Sequence, residues 1–270
     1  MLRRKAKPDR VTMVRHIENF EVHAELTANA TRLYDGSLPK VRPKDAATLI
    51  ILDFDHGIPK LLMGRRHMRH RFMPGKFVFP GGRLDASDRH VPLASDLHPG
   101  VMEKLRCEAR NGSSDKRMRG LAVCAIRETY EEAGLFIGAH QTEQGQTGKL
   151  KGADWQAFRQ RDLLPDLAPL RFIGRAITPP GRTRRFDTRF FAVSAKHIAD
   201  RLKEGTGPSG ELEDLHWLTI ADAHDLDLPR ITKEILHELE ERLKRDPELS
   251  PECPTPFFFM RGKSMMRAEI

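Results

Sequence analysis

The chain of 270 residues predicts an α/β domain, with a mixed β-sheet held between helical layers. Three observations predict it. Apolar runs of strand length recur at 46–54, 168–177 and 186–193. Two segments, 115–133 and 230–245, carry helical periodicity. Clusters of Gly, Pro and Asn separate these runs, and no repeat period joins them.

In chain order, residues 1–44 read as a basic arm or flanking element with a short helix near Glu21 to Leu33, and residues 45–250 as the main domain. Ala46 to Phe54 (AATLIILDF) is a buried-strand pattern. Asp55-His56-Gly57 turns the chain into a partner strand, Pro59 to Gly64. Lys76 to Pro80 is a short strand ended by Gly81-Gly82. Residues 83–114 read as an insertion of loop and short helix. Ser114 or Asp115 caps the next helix and Gly134 stops it. A Gly/Gln-rich loop follows at 143–152. Ala168 to Ile177 and Phe186 to Val193 are strands around the turn Thr178-Pro179-Pro180-Gly181, and Leu212 to Leu218 is one more. Arg230 to Arg245 is a charged amphipathic helix. Residues 251–270 form a tail whose Phe257, Phe258 and Phe259 are expected to pack on the body.

With 46 Lys and Arg against 38 Asp and Glu, the net charge is +8, an excess that speeds the capture of anions. It is unevenly spread. One cluster is Arg3, Arg4, Lys5, Lys7, Arg10 and Arg15. A second is Arg65, Arg66, Arg69, Arg71 and Lys76, with His67 and His70. A third, Arg182, Arg184, Arg185 and Arg189, surrounds Asp187. The last two lie beside strand-like or Gly-Pro segments and are expected to wall an anion site. No apolar run nears the ~20 residues of a bilayer span, and Pro8, Asp9 and Arg10 stand where a secretory apolar stretch would lie. A membrane or exported protein is therefore not expected. Cys107, Cys124 and Cys253 form no C-x-x-C pair and suit a reducing, cytoplasmic setting.

The most informative segment is Ala122 to Leu135, AVCAIRETYEEAGL. On a helix, Glu128, Glu131 and Glu132 share one side, opposite Ala122, Val123, Ile126, Thr129, Tyr130 and Ala133. Like charges at i, i+3 and i+4 cost about 0.2–0.5 kcal/mol per pair. The last turns before Gly134 also carry the negative end of the helix dipole, which disfavours acids. An arbitrary E-x-x-E-E is more often a solvated face, here relieved by Arg127 and nearby arginines. A segment that breaks two local rules at once is a stronger candidate for a functional site. A divalent cation would remove both penalties. An all-oxygen cluster suits Mg²⁺ or Mn²⁺, which share their remaining positions with substrate phosphates.

Arg127-Glu128-Thr129-Tyr130-Glu131-Glu132-Ala133-Gly134-Leu135 resembles the core R-E-U-x-E-E-x-G-U of the box G-x5-E-x7-R-E-U-x-E-E-x-G-U, the signature of the Nudix hydrolase superfamily; U is a bulky apolar residue. Phe79-Pro80-Gly81-Gly82 resembles the glycine pair that opens it. Between Gly82 and Arg127 the chain has 44 residues where the pattern allows 13. Eight residues before Arg127 stands Arg119, so the first Glu of the box finds no counterpart there. Upstream, Leu62, Arg71 and Gly75 are in register with L-L-T-x2-S-x3-R-x3-G-x3-F-P-G-G of coenzyme A diphosphatases, though Gly64 and His67 hold the Thr and Ser places. The segments 72–85, 124–128 and 185–191 are similar to the long-insertion branch of these enzymes. The resemblance covers roughly residues 46–220.

The resemblance implies a Nudix-type α/β/α sandwich with a helical insertion inside the box. It implies that the carbonyl of Gly81 and the carboxylates of Glu128, Glu131 and Glu132 hold one to three Mg²⁺ or Mn²⁺ ions that activate water for attack on a diphosphate. Which Glu is the general base is left open. Arg127 would orient the glutamates, and a further acid, Glu211 or Glu213, would come from a later loop. Arg71, Gly82, Arg184 and Arg185 are the candidates for binding substrate. Cys124 is read as an inert packing residue.

The implied activity is a diphosphatase acting on a small anionic nucleoside diphosphate derivative, coenzyme A or an acyl-CoA first. ADP-ribose, a dinucleotide or a nucleotide sugar is the alternative. A third reading, of another class, is a Nudix-fold module that binds a nucleotide or nucleic acid without turnover, although nucleic acid is not the expected partner. A homodimer is compatible with the sequence. The insertion, too long for an ordinary connection, is expected to shape the substrate pocket or a lid.

Overall fold

The computed structural model describes residues 15–16, 27–28, 41–55, 57–69, 74–107, 114–140 and 149–270. The predicted helix near 21–33 lies outside these, apart from Thr27 and Ala28, both helical. The strands are β1 (Arg15–His16), β2 (Lys44–Asp55), β3 (Ile58–Arg66), β4 (Phe77–Val78), β5 (Gly81–Arg83), β6 (Leu135–His140), β7 (Leu163–Pro165), β8 (Arg171–Ile177), β9 (Phe186–Ser194), β10 (Ile198–Arg201), β11 (Leu212–Thr219), β12 (Pro256–Arg261) and β13 (Ser264–Glu269). The helices are α1 (Pro99–Arg106), α2 (Asp115–Ala133), α3 (Gln156–Arg159), α4 (Ile220–His224) and α5 (Arg230–Arg245).

The main sheet runs β1-β13-β12-β8-β9-β2-β3-β11, with β4 on β3 and β5 on β2. It is mixed: β2 pairs parallel with β9 and antiparallel with β3, and β12 pairs parallel with β8. The stretch Leu49 to Leu52 is central because both of its faces are covered, whereas Asp53 and Phe54 beyond it are exposed. Leu49 and Ile51 join α2 in one core; Ile50 and Leu52 join α4 and α5 in the other. The sheet thus lies between helical layers, the α/β class that the sequence predicts. A small second sheet, β10-β6-β7, covers the far side of α2 through an aromatic group of Tyr130, Phe136, Trp155 and Phe158.

The helix α2 begins and ends where its local signals say. Ser114 accepts a hydrogen bond from the Arg117 N–H, and Gly134 takes φ 69° and caps the end with its N–H on the Tyr130 carbonyl. One element differs from expectation. The segment 251–270, expected as a tail, supplies β12 and β13 and so enters the main sheet. In the described part of the insertion, Asp88 meets Arg127 while α1 packs on the body. Val101, Met102 and Leu105 of α1 are buried in the core around α2, and Lys104 Nζ donates to the Cys253 carbonyl. An amphipathic helix with three apolar residues on one face gains more by packing on the body than by standing over a cleft.

Candidate active site

Two elements build the site. The glycines come from β5, where Gly81 stands opposite Thr48 of β2. The Leu49 N–H donates to the Pro80 carbonyl and the Leu84 N–H to the Asp45 carbonyl, so by the alternation of an antiparallel ladder Gly81 falls between hydrogen-bonded pairs. Its N–H therefore turns away from β2, and it donates to Glu132 Oε2 at 3.0 Å. Glycine at 82 lets the carboxylate come close: a Cβ there would lie 2.3 Å from Glu128 Oε1 and would push that side chain aside. The glycine pair and two of the glutamates are thus in direct contact.

The other glutamate is organised by Arg127, which is 5% exposed. Its Nη1 lies 3.1 Å from both oxygens of Glu131 and 2.9 Å from Glu128 Oε1. The opposite edge of the guanidinium meets Asp88, 1% exposed, with Nε to Oδ1 at 2.9 Å and Nη2 to Oδ2 at 3.2 Å. Nη2 also donates to the Arg83 carbonyl. Burial works against the charge of Arg127, but its hydrogen bond to Asp88 and the charge of Glu128 overcome it and raise its pKa.

All three carboxylates are held above their ordinary range. Burial, opposed by Arg127 and reinforced by Glu131 and Glu211, pushes Glu128 up to about 7. Burial, then the charge of Glu128, pushes Glu132 well up, while the Gly81 N–H and Arg66 pull it back. Burial also raises Glu131, against Arg127. The arrangement carries more negative charge than its cations offset. Among the described residues, no three His, Cys, Asp or Glu side chains form a ready coordination sphere. The donor set still fits a hard divalent cation: buried carboxylate oxygens facing a glycine backbone, crowded and short of positive charge. The helix end is relieved separately, because the N–H groups of Gly207 and Ser209 donate to the carbonyls of Glu132 and Glu131.

The structure brings together Gly81, Gly82, Arg127, Glu128, Glu131 and Glu132. It places Glu213 elsewhere, 3.3 Å from Arg65 and 4.0 Å from His67. Glu213 pairs in register with Arg65, which alternation puts on the opposite face of β3 from Arg66. The acid whose charge bears on both Glu128 and Glu132 is Glu211, itself 2.9 Å from Arg66 Nη2. Arg71 lies outside the described residues. Arg184 is exposed, and Arg185 is spent on the backbone, donating to the carbonyls of Thr178 and Val41. Counting the box back from Arg127 misses Asp88. Counted forward, G-x5-E from Gly82 lands on Asp88, with Asp for Glu. The extra residues therefore follow that acid, and Arg119, paired with Asp96, has no part in the box. The Cys124 thiol is buried and its pKa is pushed well up by burial.

Comparison with known proteins agrees with this geometry. The family described as the NUDT19 Nudix domain matches residues 30–228. Among curated proteins, the chain is similar to the acyl-coenzyme A diphosphatase NUDT19 of Xenopus laevis, 26% identical over 57% of this chain and 54% of the relative. The protein of the same name from Homo sapiens is 29% identical over 49% and 47%. The chain thus spans about half the length of the curated relatives it matches. Among solved structures, a Nudix hydrolase from Alicyclobacillus acidocaldarius is 30% identical, with a TM-score of 0.52, covering 73% of this chain and 90% of that one.

Proposed function

The chain belongs to the NUDT19 Nudix domain family, and from that membership we propose that it hydrolyses the diphosphate of coenzyme A or an acyl-CoA with Mg²⁺ or Mn²⁺. The observation that carries the reading is the contact between the glycine pair and the crowded carboxylates. Gly81, Glu128, Glu131 and Glu132 would hold the metal, with Glu211 the further acid. A bound divalent cation supplies charge neutralisation of the diphosphate and a water of lowered pKa. The chain's own residues do the rest. Arg127 fixes the orientation of Glu128 and Glu131, and Asp88 fixes Arg127. Arg66 offsets part of the charge on Glu132 and Glu211. Arg71, by its place in the upstream motif, would meet a phosphate through its guanidinium fork. The names of the curated relatives favour coenzyme A over other nucleoside diphosphates.

The experiment is a turnover panel of coenzyme A, an acyl-CoA, ADP-ribose, a dinucleoside polyphosphate and a nucleotide sugar, each with Mg²⁺, Mn²⁺ or EDTA. The expected products from coenzyme A are a phosphopantetheine and an adenosine bisphosphate, formed only with metal. No turnover of any member would overturn the enzymatic reading, and preference for another diphosphate would overturn the substrate.

A further inference from the structure

The chain has two tryptophans, and the fold treats them oppositely: Trp155 is 2% exposed and Trp217 is 39% exposed. Trp217 lies on β11, the edge strand, directly opposite Leu62 of β3. Directly opposed residues in an antiparallel pair project from the same face. Leu62 belongs to the core around α2. By alternation, Leu62, Gly64 and Arg66 share that face, and Arg66 is the cation that acts on Glu132. The indole therefore stands on the face of the carboxylates, four β3 positions from Arg66, about 13 Å along the strand. A ribose with its phosphates bridges such a span. The neighbours of Trp217 are accounted for by packing: Leu215 packs against the α2 core and Leu218 against the opposite one. Trp217 is left exposed. An exposed apolar residue by itself needs no function, but this one is a flat aromatic on the site's own face, a nucleotide's reach from the charges that would hold a diphosphate.

We propose that Trp217 is the platform on which the nucleobase of the substrate stacks. The inference rests on the reading of the substrate as a nucleoside diphosphate derivative. A base has a π-face wherever it comes from, so stacking on an indole supplies affinity without strict base selection. Trp217 is then a specificity residue for nucleotide over other diphosphates and takes no part in the bond cleavage.

With only two tryptophans, one of them buried, emission reports on the site directly. Adenosine 3′,5′-bisphosphate added in EDTA, where no turnover occurs, should quench the wild-type emission. Trp217→Phe should lose the quench, because only Trp155 remains, and should give a KM for coenzyme A between those of the wild type and Trp217→Ala, since a phenyl ring still stacks. Trp217→Ala should raise KM about tenfold and leave kcat within about twofold. Emission unmoved by the nucleotide, a quench that survives in Trp217→Phe, or an unchanged KM in Trp217→Ala would overturn the proposal. So would a quench produced by 4′-phosphopantetheine but not by the bisphosphate. If the wild type turns over no diphosphate, the enzymatic reading fails, and the quench in EDTA still decides the role of Trp217.

Discussion

Arg127 is gripped from both edges, by Asp88 on one and by Glu128 and Glu131 on the other. Asp88→Asn keeps the shape and removes an anion from a buried cation. The expected loss is about 3 kcal/mol of stability, with kcat down about 10- to 100-fold as the glutamates lose their orientation. Thermal unfolding and single-substrate kinetics check it, and a folded variant with wild-type kcat would reduce the pair to scaffolding. Glu128 gives a pH prediction. Its folded pKa of about 7 lies above the unfolded value of 4.5, so the native state holds the extra proton between them. That contribution is fully present below about 4.5 and is lost as pH rises through 7, on the order of 3 kcal/mol. In EDTA, wild-type Tm should therefore fall relative to Glu128→Gln from pH 5 to 8; a constant difference would contradict the shift. Mg²⁺ competes with that proton, so its stabilisation of the wild type should grow over the same interval. The three glutamates were legible in the sequence because two helical turns place them together. Glu211 was legible only as one of two candidates with Glu213, since a fold that closes through a distant loop leaves no spacing to choose between them.

The helix α2 was legible from end to end because both of its signals are local: a serine hydroxyl at the start and a left-handed glycine at the stop. What the sequence did not reveal is how the helix tolerates acids at its negative end. The answer is a loop some 70 residues on, whose Gly207 and Ser209 N–H groups take the last carbonyls. Gly207 permits this approach, since a Cβ would lie 2.2 Å from the Glu131 carbonyl oxygen. Gly207→Ala should therefore push the loop off, at a cost of about 2 kcal/mol. It should also weaken Mn²⁺ binding, because Glu211 follows in the same segment. Calorimetric titration of Mn²⁺ together with a melt tests both; unchanged affinity in a destabilised protein would confine the loop to capping. The insertion is the contrasting case. Its length drew attention to the pocket; the apolar residues of α1 direct that helix to the core, while Asp88 of the insertion reaches the site by holding Arg127.

At the scale of the whole molecule, every candidate site residue precedes residue 250, yet the C-terminal hairpin completes the fold. The strands β12 and β13 pair antiparallel with each other, and β12, through Phe257 and Phe258, runs parallel to β8. Phe257, Ala268 and Ile270 fill the core around α2, and Phe258 and Met265 fill the core under α5. Arg175 lies over the Phe257 ring at 4.3 Å, and Thr255 and Ile270 exchange backbone hydrogen bonds. A parallel pairing across some 80 residues has no local signature, so the three phenylalanines announced burial but not their partner. The consequence is testable. Phe258→Ala should cost about 3–4 kcal/mol, and a chain ended at residue 250 should lose cooperative unfolding, since both cores would open at one edge. Activity should fall in proportion to the folded fraction, with KM unchanged in the surviving Phe258→Ala protein, because the hairpin supports the sheet and, among the described residues, pairs with β1 and β8 rather than with an element of the site. Melting curves set against KM decide it. A truncated chain that melts cooperatively and keeps its turnover would make the hairpin dispensable, and the domain would then end at α5.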